Sequence, residues 1–566
     1  MQLSELELIR REKLVRLRAM GINPYPADLF PLNSNSKQIK KQYKEGKEVI
    51  IAGRLMAKNI QGKASFAQLQ DSEGRIQIYF NRDEICTGED KTLYNEVYKK
   101  LLDLGDFIGI EGELFTTKVG EISVRVKNFK LLTKALKPLP LPKVKDGVTF
   151  DAFTDAEMRY RQRYVDLVVN PHVKEVFVKR SKLFAAMRSF FNDAGYMEVE
   201  TPILQPIPGG AAARPFITHH NSLDVPMYMR IACELYLKKV LIGGFDGVFE
   251  FAKTFRNEGM DRTHNPEFTM MEIYVAYKDY HWMMEFTEKL LEHCAIAVNG
   301  TSKITFGEHQ IDFKAPYARV TMTDSIKHFT GFDITGKTED ELRKAATSMG
   351  LEVDETMGKG KLIDEIFGEK CEGNYINPTY ITDYPKEMSP LCKEHRDNPE
   401  LTERFELMIC GKEIANAYSE LNDPIDQRER FEAQLKLAAK GDDEATEFID
   451  EDFLRALEYG MPPTSGLGIG MDRLTMFLTN NQSIQEVLLF PQMKPEVRSA
   501  QAKNLNDEEK MVLAIIQKIE KIELNELKSQ SGLSNKKWDK TIKGLTKNKL
   551  AKVDKTNDGL FVSIIE

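Results

Sequence analysis

Hydrophobic and polar positions follow different periods along the chain, and each period predicts a different kind of structure. Residues 1–20 place apolar side chains at helical spacing among basic ones, which predicts a helix that ends near Gly21 and Pro24. Residues 49–132 instead alternate apolar and polar positions in short runs separated by turn residues, a pattern typical of β-strands. These runs, joined by a partly helical connection at 81–104, predict a small closed barrel of five strands, which lie at 49–57, 65–70, 75–80, 107–114 and 121–129.

Five-stranded barrels of this size are typical of oligonucleotide-binding (OB) domains. Phe66, Gln68 and Gln77 are predicted to point outward from adjacent strands. A ring that stacks on a base, beside amides that read the base edge, is a common way to recognise single-stranded RNA. Because many barrels expose Phe and Gln without binding nucleic acid, the pattern leaves both interpretations open.

The helical period returns after a stiff linker that contains three prolines between residues 138 and 142. Residues 173–193 carry a broad apolar stripe, which predicts an amphipathic helix packed either in a core or at a subunit contact. Residues 196–202 are predicted to form an edge strand that ends at Pro202. Two further strands are predicted at 247–252 and 268–274, with a polar turn at 259–263 between them.

The last sixty residues have the pattern of a separate module. A capped helix starts at Asn506, and residues 524–548 are predicted to form a helix-turn-helix with its turn at 531–534. A hairpin is predicted from 552 to 565. Between Lys536 and Lys555 there are eight lysines and two aspartates. This local charge favours contact with a nucleic-acid backbone, although a protein-interaction module remains an alternative.

Together these patterns predict an α+β chain: an N-terminal five-stranded OB-type barrel, a large sheet flanked by helices, and a small C-terminal winged helix-turn-helix module. The predicted domains are an N-terminal helical extension at 1–46, the barrel at 47–136, a linker at 137–172, the main domain at 173–502 with a helical insertion at about 320–390, and the C-terminal module at 503–566.

Composition narrows the class of protein. The 566 residues include 42% hydrophobic and 29% charged residues, which is typical of a soluble globular chain. A formal net charge of -8 excludes a uniformly basic nucleic-acid coat, so any RNA contact must come from local patches. Six scattered cysteines without a CxxC pair argue against a zinc site or a disulfide framework. No apolar run approaches a membrane span and no signal peptide starts the chain, so we predict a cytoplasmic location.

The segment with the most candidate functional side chains is residues 255–272. A guanidinium, carboxylates, an imidazole and an aromatic ring follow one another there with few apolar partners, which suits a nucleotide polyphosphate and its base. Strand alternation would set five of these side chains on one face: Arg256, Glu258, Phe268, Glu272 and Tyr274. The alternative is a half-buried hairpin with a solvated charged face.

Two later stretches add to this chemistry. Glu406 interrupts an apolar strand and Glu413 follows the next turn, and two such carboxylates suit a Mg²⁺ ion shared with phosphates. Asn416, Tyr418 and Glu420 alternate on one strand and would line a polar pocket. Further on, a glycine-rich strand at 466–470 runs into a helix with Arg473 in its first turn, where the helix dipole favours anions.

These segments carry a resemblance to a known family. Residues 195–202, 255–272 and 466–473 resemble motifs 1, 2 and 3 of the class II aminoacyl-tRNA synthetases. The small-residue run at 209–216 and the stretches 264–272 and 413–420 resemble, more closely, the lysyl-tRNA synthetases of subclass IIb in their bacterial form. The resemblance extends from residue 1 to about residue 500, and the C-terminal module is an addition to the usual bacterial pattern.

The resemblance implies an antiparallel catalytic sheet, a homodimer formed through motif 1, and an anticodon-binding barrel. It implies that L-lysine is activated with ATP to lysyl-adenylate and passed to the 3′ ribose of tRNA(Lys), with up to three Mg²⁺ ions on the ATP phosphates. Arg256 would grip the α-phosphate and Arg473 the γ-phosphate, both as catalytic residues, while His264 would reach the distal phosphates. Glu258 would read the adenine amino group and Phe268 would stack on the adenine.

The remaining roles come from the same resemblance. It implies that lysine is surrounded by Gly210, Glu234, Glu272, Tyr274, Asn416, Tyr418 and Glu420. The Mg²⁺ ligands would be Glu406 and Glu413, and the central anticodon uridine would be held by Phe66, Gln77 and Glu121. The chain departs from some members of the family at Asn59, Thr263 and Cys233.

Three rival functions remain open at the level of sequence. A synthetase for aspartate or asparagine shares the barrel and the motifs, but it needs a cation where Glu234 and Glu420 supply anions. An RNA-binding protein on an inactive synthetase scaffold would be expected to lose Arg256, Glu413 or Arg473, and all three are present. A ligase that attaches lysine to a protein would resemble the catalytic domain without the barrel.

Overall fold

The computed structural model describes residues 3–145, 148–150, 153–211, 213–439, 448–495, 505–519, 521–547, 550–556 and 559–564. The chain forms two compact units, which are residues 1–264 together with 268–490, and residues 491–566 together with 265–267. Among the helices so described, none combines the length and the apolar character that a membrane crossing requires.

The N-terminal part of the first unit contains the predicted barrel. The helix Glu5–Ala19 starts at a capping box between Ser4 and Glu7, and a second helix spans Ser36–Lys41. Inward apolar residues alternate with partly exposed polar ones along each strand, and the inward set forms the barrel core. The strands close in the order first, second, third, fifth, fourth, and they are Glu48–Gln61, Ala64–Gln70, Arg75–Asn81, Phe107–Thr116 and Ile122–Thr133. The predicted five-stranded barrel is therefore confirmed.

Short elements connect the barrel to the main sheet. The connection inside the barrel holds the helices Arg82–Ile85 and Leu93–Leu101. The linker that follows contains two short strands and two short helices: Lys143–Lys145, Val148–Phe150, Ala156–Arg161 and Arg163–Val169. The long helix predicted at 173–193 spans Pro171–Asp193, and the buried residues Leu183, Met187 and Phe191 on its apolar stripe belong to the core of the main sheet.

An eight-stranded sheet forms the centre of the first unit. In spatial order its strands are Ala318–Thr321, Thr379–Thr382, Arg404–Met408, Glu413–Ser419, Thr464–Gly470, Glu267–Ala276, Gly247–Phe255 and Met197–Glu198. The four strands from 379 to 470 and the strand that carries Glu272 pair antiparallel, while both edge strands pair parallel. The helices Pro171–Asp193, Tyr280–Asn299 and Met471–Thr479 supply the apolar side chains that pack on this sheet.

The predicted strand at 196–202 is much shorter in the structure. The strand spans only Met197 and Glu198, and the Val199 amide still donates to the Phe249 carbonyl of the neighbouring strand at 2.9 Å. Further along, the Thr201 amide and hydroxyl donate to Glu250 Oε2 at 3.2 and 2.7 Å instead of to a backbone carbonyl. Because Pro202 has no amide hydrogen, the ladder cannot resume there. The prediction of a seven-residue strand was therefore wrong in its extent, although the strand does lie at the sheet edge.

The rest of the first unit surrounds the sheet. The insertion has its own apolar core, built around Leu342, Leu362, Ile366 and Phe367. Its elements are the helices Met322–Thr330, Glu339–Ser348 and Lys359–Lys370 and the turns Glu372–Asn374 and Lys386–Met388. The other helices are Glu234–Ile242, Pro424–Ala439, Glu451–Glu458 and Ile484–Val487, and the small paired strands are Leu204–Gln205, Ile217–His220, Val225–Met229, Lys303–Phe306, His309–Asp312, Glu394–His395 and Asn398–Thr402.

The C-terminal module folds around its own core. Trp538, Leu545, Val512 and Val562 are among its buried apolar residues. Its elements are Asp507–Ile519, Lys521–Glu523, Leu524–Ser531, Asn535–Lys547, Ala551–Thr556 and Gly559–Ile564, of which the three strands form one sheet. The predicted helix-turn-helix and hairpin are both present, with Gly532 in the left-handed conformation between the two helices. The predicted hairpin turn at Asn557 and Asp558 lies outside the described residues.

Candidate active site

A cavity of about 600 Å³ lies against the eight-stranded sheet. All nine residues predicted for lysine and metal binding line it together with Arg256, although they come from parts of the chain that are far apart in sequence. The predicted residues that line the cavity are Gly210, Glu234, Arg256, Glu272, Tyr274, Glu406, Glu413, Asn416, Tyr418 and Glu420. The tertiary structure thus brings the candidate residues of three separate segments to one place.

Three carboxylates and two phenols form what we call the acidic pocket: Glu234, Glu272, Glu420, Tyr274 and Tyr418. The three carboxylates are at most 5% exposed. The Tyr418 hydroxyl donates to Glu234 Oε1 at 2.7 Å, and the Tyr274 hydroxyl donates to Glu272 Oε2 at 3.0 Å. Burial raises the pKa of both tyrosines well above the usual range, so both hydroxyls stay protonated and act as donors.

Lys238 is a part of this site that the sequence analysis missed. Its ammonium pairs with Glu234 Oε1 at 2.6 Å and also with Glu420 Oε2. The lysine side chain is completely buried, and it does not line the cavity. It therefore contacts the two carboxylates from within the protein and leaves their other side facing the cavity. Its spacing of four residues from Glu234 on one helix is the sequence signal from which this pairing could have been predicted.

The charges in the acidic pocket do not balance. Of the three carboxylates, Glu234 and Glu420 share the ammonium of Lys238, and Glu420 Oε1 has no hydrogen-bond partner within the described part of the chain. Burial and the nearby Glu234 raise the pKa of Glu420 well above its usual range, although Lys238 opposes this shift. Burial also raises the pKa of Glu272. A group of buried carboxylates with too few cations is a site for one more cation.

Two glycines make room for this arrangement. A Cβ at Gly466 would lie 2.1 Å from Glu420 Oε1 and 2.4 Å from the Tyr274 ring, so only glycine lets these side chains come together. Gly210 has a φ of +88°, and a Cβ there would lie 3.2 Å from the Cβ of Glu234. The close packing of the acidic pocket therefore has a steric basis at both positions.

A second group, which we call the arginine cluster, consists of Arg256, Phe268, His264 and Arg473. The Arg256 guanidinium lies 5.2 Å from the centre of the Phe268 ring, and its Nε is buried without a hydrogen-bond partner among the described residues. Burial lowers the pKa of Arg256, while Glu413 is the largest opposing influence. A buried donor without a partner, directed into a cavity, indicates a place for an acceptor oxygen.

Arg473 is held from two sides. It donates to the Glu413 carbonyl at 2.9 Å, and its other terminal nitrogen lies 3.1 Å from His264 Nε2. His264 Nδ1 in turn lies 2.8 Å from Asp261 Oδ2. Thr263 also contacts Asp261 Oδ1, with its amide and its hydroxyl, so this departure from the family pattern belongs to the local turn.

The predicted strand alternation at 255–272 was partly wrong. Phe268, Glu272 and Tyr274 do lie on one strand, Glu267–Ala276. The preceding strand ends at Phe255, so Arg256 and Glu258 lie in the loop that follows it. The segment that contains Gly210 holds this loop, because the Asn257 amide donates to the Arg214 carbonyl at 2.8 Å and the Arg214 amide donates to Glu258 Oε1 at 3.3 Å. Strand periodicity therefore does not predict the positions of Arg256 and Glu258.

Four carboxylates form one wall of the cavity, the carboxylate wall: Asp364, Glu372, Glu406 and Glu413. Burial raises the pKa of Glu406 to about 7, with Glu413 and Asp364 adding to the shift and Arg404 opposing it. Burial and Glu413 also raise the pKa of Glu372. Asp364 and Glu372 come from the insertion, whose sequence offered no chemistry to predict.

Arg404 is a second residue that the sequence analysis missed. It donates to Glu406 Oε1 at 2.5 Å and to Asn416 Oδ1 at 3.2 Å, and it stacks 4.5 Å from the Tyr384 ring centre. The predicted metal residue Glu406 therefore already has a cation beside it, and Glu413, whose side chain is 41% exposed, has Arg473 Nη1 at 3.7 Å from its Oε2. Within the described ranges, no group of three or more His, Cys, Asp or Glu residues has the arrangement of a metal site.

On the barrel, the predicted outward residues lie beside an aromatic row. Phe66 lies 5.0 Å from Tyr79 between ring centres, and Tyr79 lies 5.9 Å from Phe115. Gln77 accepts from Ser123 Oγ at 2.8 Å, and Glu121 is exposed immediately before the strand Ile122–Thr133. Tyr79 and Phe115 were missed, although Tyr79 follows Gln77 by two residues and so shares its face.

Comparison with known proteins gives the family. The family described as tRNA synthetases class II (D, K and N) matches residues 155–494, and the family described as OB-fold nucleic acid binding domain matches residues 49–132. The first match contains the cavity and the second contains the barrel. The OB type of the barrel, expected from its strand pattern, is thereby confirmed.

Several relatives carry the name Lysine--tRNA ligase. The one from Christiangramia forsetii is 72% identical over 564 residues, which is 100% of this chain and 98% of the relative. The one from Porphyromonas gingivalis is 66% identical over 501 residues, 88% of this chain and 86% of the relative. The one from Azobacteroides pseudotrichonymphae is 61% identical over 497 residues, 87% of this chain and 99% of the relative. With a class II synthetase family matching more than half of its length and relatives of this identity over most or all of it, the chain belongs to the lysine–tRNA ligases of class II.

Proposed function

We propose that the acidic pocket holds the side-chain ammonium of lysine while the chain joins lysine to tRNA, the activity of its family. The observation that carries this assignment is the charge balance: the pocket holds three buried carboxylates, two of them share one internal ammonium, and Glu420, which lines the cavity, has an Oε1 without a hydrogen-bond partner among the described residues. A substrate ammonium supplies the missing cation. Gly210 and Asn416 line the same cavity, and we assign them to contacts with the bound lysine.

Selectivity for lysine follows from the cost of leaving carboxylates unpaired. A neutral side chain in the acidic pocket leaves buried charge without a partner, and sites of this kind reject analogues that lack the polar group by factors of about 10⁴. An aspartate or asparagine substrate needs a cation in the acidic pocket in place of the carboxylates. The nearest candidate, Lys238, is already shared by two carboxylates and does not line the cavity.

The first step joins the lysine carboxylate to the α-phosphorus of ATP and breaks the bond to pyrophosphate, which leaves as the second product. The nucleophile is already ionised at neutral pH, so no general base is required, and positioning with electrostatic stabilisation carries the step. Arg256 is assigned to the α-phosphate because its buried Nε has no hydrogen-bond partner in the described parts of the chain and its planar fork can hold two oxygens in one geometry. Arg473, oriented by Glu413 and His264, is assigned to the γ-phosphate, with His264 at the distal phosphates.

The adenine is assigned to Phe268 and Glu258. The Arg256 guanidinium lies over one face of the Phe268 ring, and we assign the adenine base to stacking on the other face. Glu258 is exposed in the loop and accepts the Arg214 amide with one oxygen, which leaves the second oxygen for an exocyclic amine. Both assignments remain predictions for mutagenesis.

The residues of the carboxylate wall fit the Mg²⁺ that the family typically uses with ATP. They offer hard oxygen donors whose mutual repulsion a cation relieves, and phosphate oxygens supply the ligands that the protein lacks. Glu406 and Glu413 are the residues that would hold the ion. When bound, Mg²⁺ neutralises charge on the phosphate oxygens and on the leaving group.

The second step passes lysine from the adenylate to the terminal ribose of tRNA, and we assign the anticodon to the barrel. Phe66, Gln77 and Glu121 lie on its surface beside the aromatic row of Tyr79 and Phe115, which adds stacking area that the sequence had not indicated. We also propose a homodimer formed through the motif 1 edge of the sheet, where Ile203 and Leu204 are exposed apolar residues. A cytoplasmic location and an RNA or protein partner for the C-terminal module stay predictions.

The test is pyrophosphate exchange measured with each of the twenty amino acids. Only lysine should support rapid exchange, Arg256→Ala should abolish it, and Glu420→Gln should raise the KM for lysine far more than the KM for ATP. Exchange that persists in Arg256→Ala would refute the phosphate assignment. Equal changes in the two KM values of Glu420→Gln would refute the ammonium assignment.

A further inference from the structure

The C-terminal module presents one helix face on which every residue is a lysine. In the helix Asn535–Lys547, the buried positions Trp538, Thr541 and Leu545 pack into the module core. On the opposite side lie the exposed residues Lys536, Lys540, Lys543 and Lys547, which we call the basic face. At about 100° per residue, these four positions fall within an arc of about 60° directly opposite the core, and they extend over about 17 Å of helix.

Three other lysines of the module make ion pairs. Lys537 pairs with Glu508 at 2.8 Å, Lys510 with Asp507 at 3.5 Å, and Lys552 with Asp554 at 3.1 Å. None of the four basic-face lysines makes an ion pair with another described residue. Like charges three and four residues apart destabilise a helix by about 0.2–0.5 kcal/mol per pair, so this arrangement has a cost that an anionic partner would remove.

Two features favour nucleic acid over protein as the partner. The basic face contains no apolar side chain, because the apolar residues Trp538, Ile542 and Leu545 of this helix all pack towards the module core. Protein interfaces instead have apolar or aromatic centres and are depleted in lysine. The helix is also the second of a helix-turn-helix, the element that lies against the duplex when such motifs bind nucleic acid.

We propose that the basic face binds the phosphate backbone of an RNA duplex without regard to sequence, and that this RNA is the tRNA substrate. The proposal rests on the proposed function, which brings tRNA to the enzyme. A tethered backbone contact raises the overall affinity for tRNA through effective concentration and needs no base recognition of its own. The relative from Azobacteroides pseudotrichonymphae is matched over 99% of its length by 497 residues of this chain, so the reaction itself does not require every segment of the longer chain.

The experiment compares two triple variants of the full-length enzyme that remove the same charge. One is Lys540→Gln, Lys543→Gln and Lys547→Gln on the basic face, and the matched control is Lys510→Gln, Lys528→Gln and Lys537→Gln elsewhere in the module. Binding of tRNA(Lys), of a non-cognate tRNA and of duplex DNA is measured from 50 to 200 mM salt, together with lysine-dependent pyrophosphate exchange.

The basic-face variant should bind both tRNAs with an affinity that is lower by about tenfold or more. The slope of log affinity against log salt should be reduced by about 2–3, since each lost phosphate contact reduces it by about 0.7–0.9. The control should change little, and exchange should be normal in both variants. An unchanged affinity and salt slope in the basic-face variant, as a protein partner would give, overturns the proposal. A loss confined to cognate tRNA, or to DNA, overturns the assignment to sequence-independent RNA contact. Failure of exchange in the unaltered enzyme would instead contradict the proposed function.

Discussion

The buried ammonium of Lys238 gives the sharpest prediction for lysine recognition. Replacing it with methionine, which has a similar length and no charge, leaves Glu234 and Glu420 buried together without their internal cation. Two carboxyl groups in contact cannot both ionise easily, so one of them should hold a proton at neutral pH. The substrate ammonium would then meet one ionised carboxylate of this pair instead of two.

The magnitude follows from the contacts that are lost. A hydrogen bond to a charged group contributes about 1.5–3 kcal/mol, so losing one from the lysine ammonium should raise the KM for lysine about 10- to 150-fold. Breaking a buried ion pair costs about 3–5 kcal/mol of stability when the remaining charge stays ionised, and proton uptake by a carboxyl reduces this cost. We therefore expect a folded enzyme with a lower Tm, a KM for ATP close to normal, and a strongly raised KM for lysine.

The pH dependence separates this role from simple packing. Burial already raises the pKa of Glu420, and Lys238 opposes that shift, so removing the ammonium should raise this pKa further. Because the carboxyl must lose its proton to pair with the substrate, the affinity for lysine should increase with pH, and in Lys238→Met the increase should occur at higher pH. Exchange kinetics over a pH series, with lysine and ATP varied separately, measure the effect.

Two control variants test whether the effect is specific to the charge of Lys238. Lys239→Met changes the adjacent lysine, which pairs with Asp452 at 2.8 Å outside the acidic pocket, and it should leave both KM values unchanged. Lys238→Arg keeps the charge and should restore part of the lysine affinity. If Lys238→Met lowers kcat and raises both KM values equally, with an unshifted pH profile, Lys238 only supports the fold and the counter-ion role is wrong.

Three further predictions address other parts of the chain. Gly466→Ala places a Cβ 2.1 Å from Glu420 Oε1, so the KM for lysine should rise about tenfold with little change for ATP, and similar changes for both substrates would contradict the steric reasoning. Lysine binding should release protons, because the raised pKa of Glu420 means that this carboxyl ionises on pairing; calorimetry in two buffers of different ionisation enthalpy measures the release, and proton uptake would contradict it. Deleting residues 504–566 should leave lysine-dependent exchange intact, whereas an inactive truncated enzyme would show that the module supports the active site.

The sequence by itself determined the elements and most of the candidate residues. Alternation of period two gave the barrel strands and the outward positions of Phe66 and Gln77, and the glycine-rich run gave the strand that leads into the helix of Arg473. These predictions depend on local periodicity and turn chemistry, which act between neighbours in the chain. The resemblance to motifs of the synthetases then supplied roles that periodicity could not.

Only the tertiary structure decided how the charges are paired. Glu234 and Lys238 are neighbours on one helix, but whether they form a surface pair or a buried counter-ion depends on Glu420, which comes from a distant strand. The same holds for the pairing of Arg404 with Glu406 and for Asp364 and Glu372, which the insertion adds to the cavity. It also holds for the loop of Arg256, which follows the strand and is held by a contact between Arg214 and Glu258. Burial and charge compensation are set by segments that meet in space, and a one-dimensional pattern does not record which segments meet.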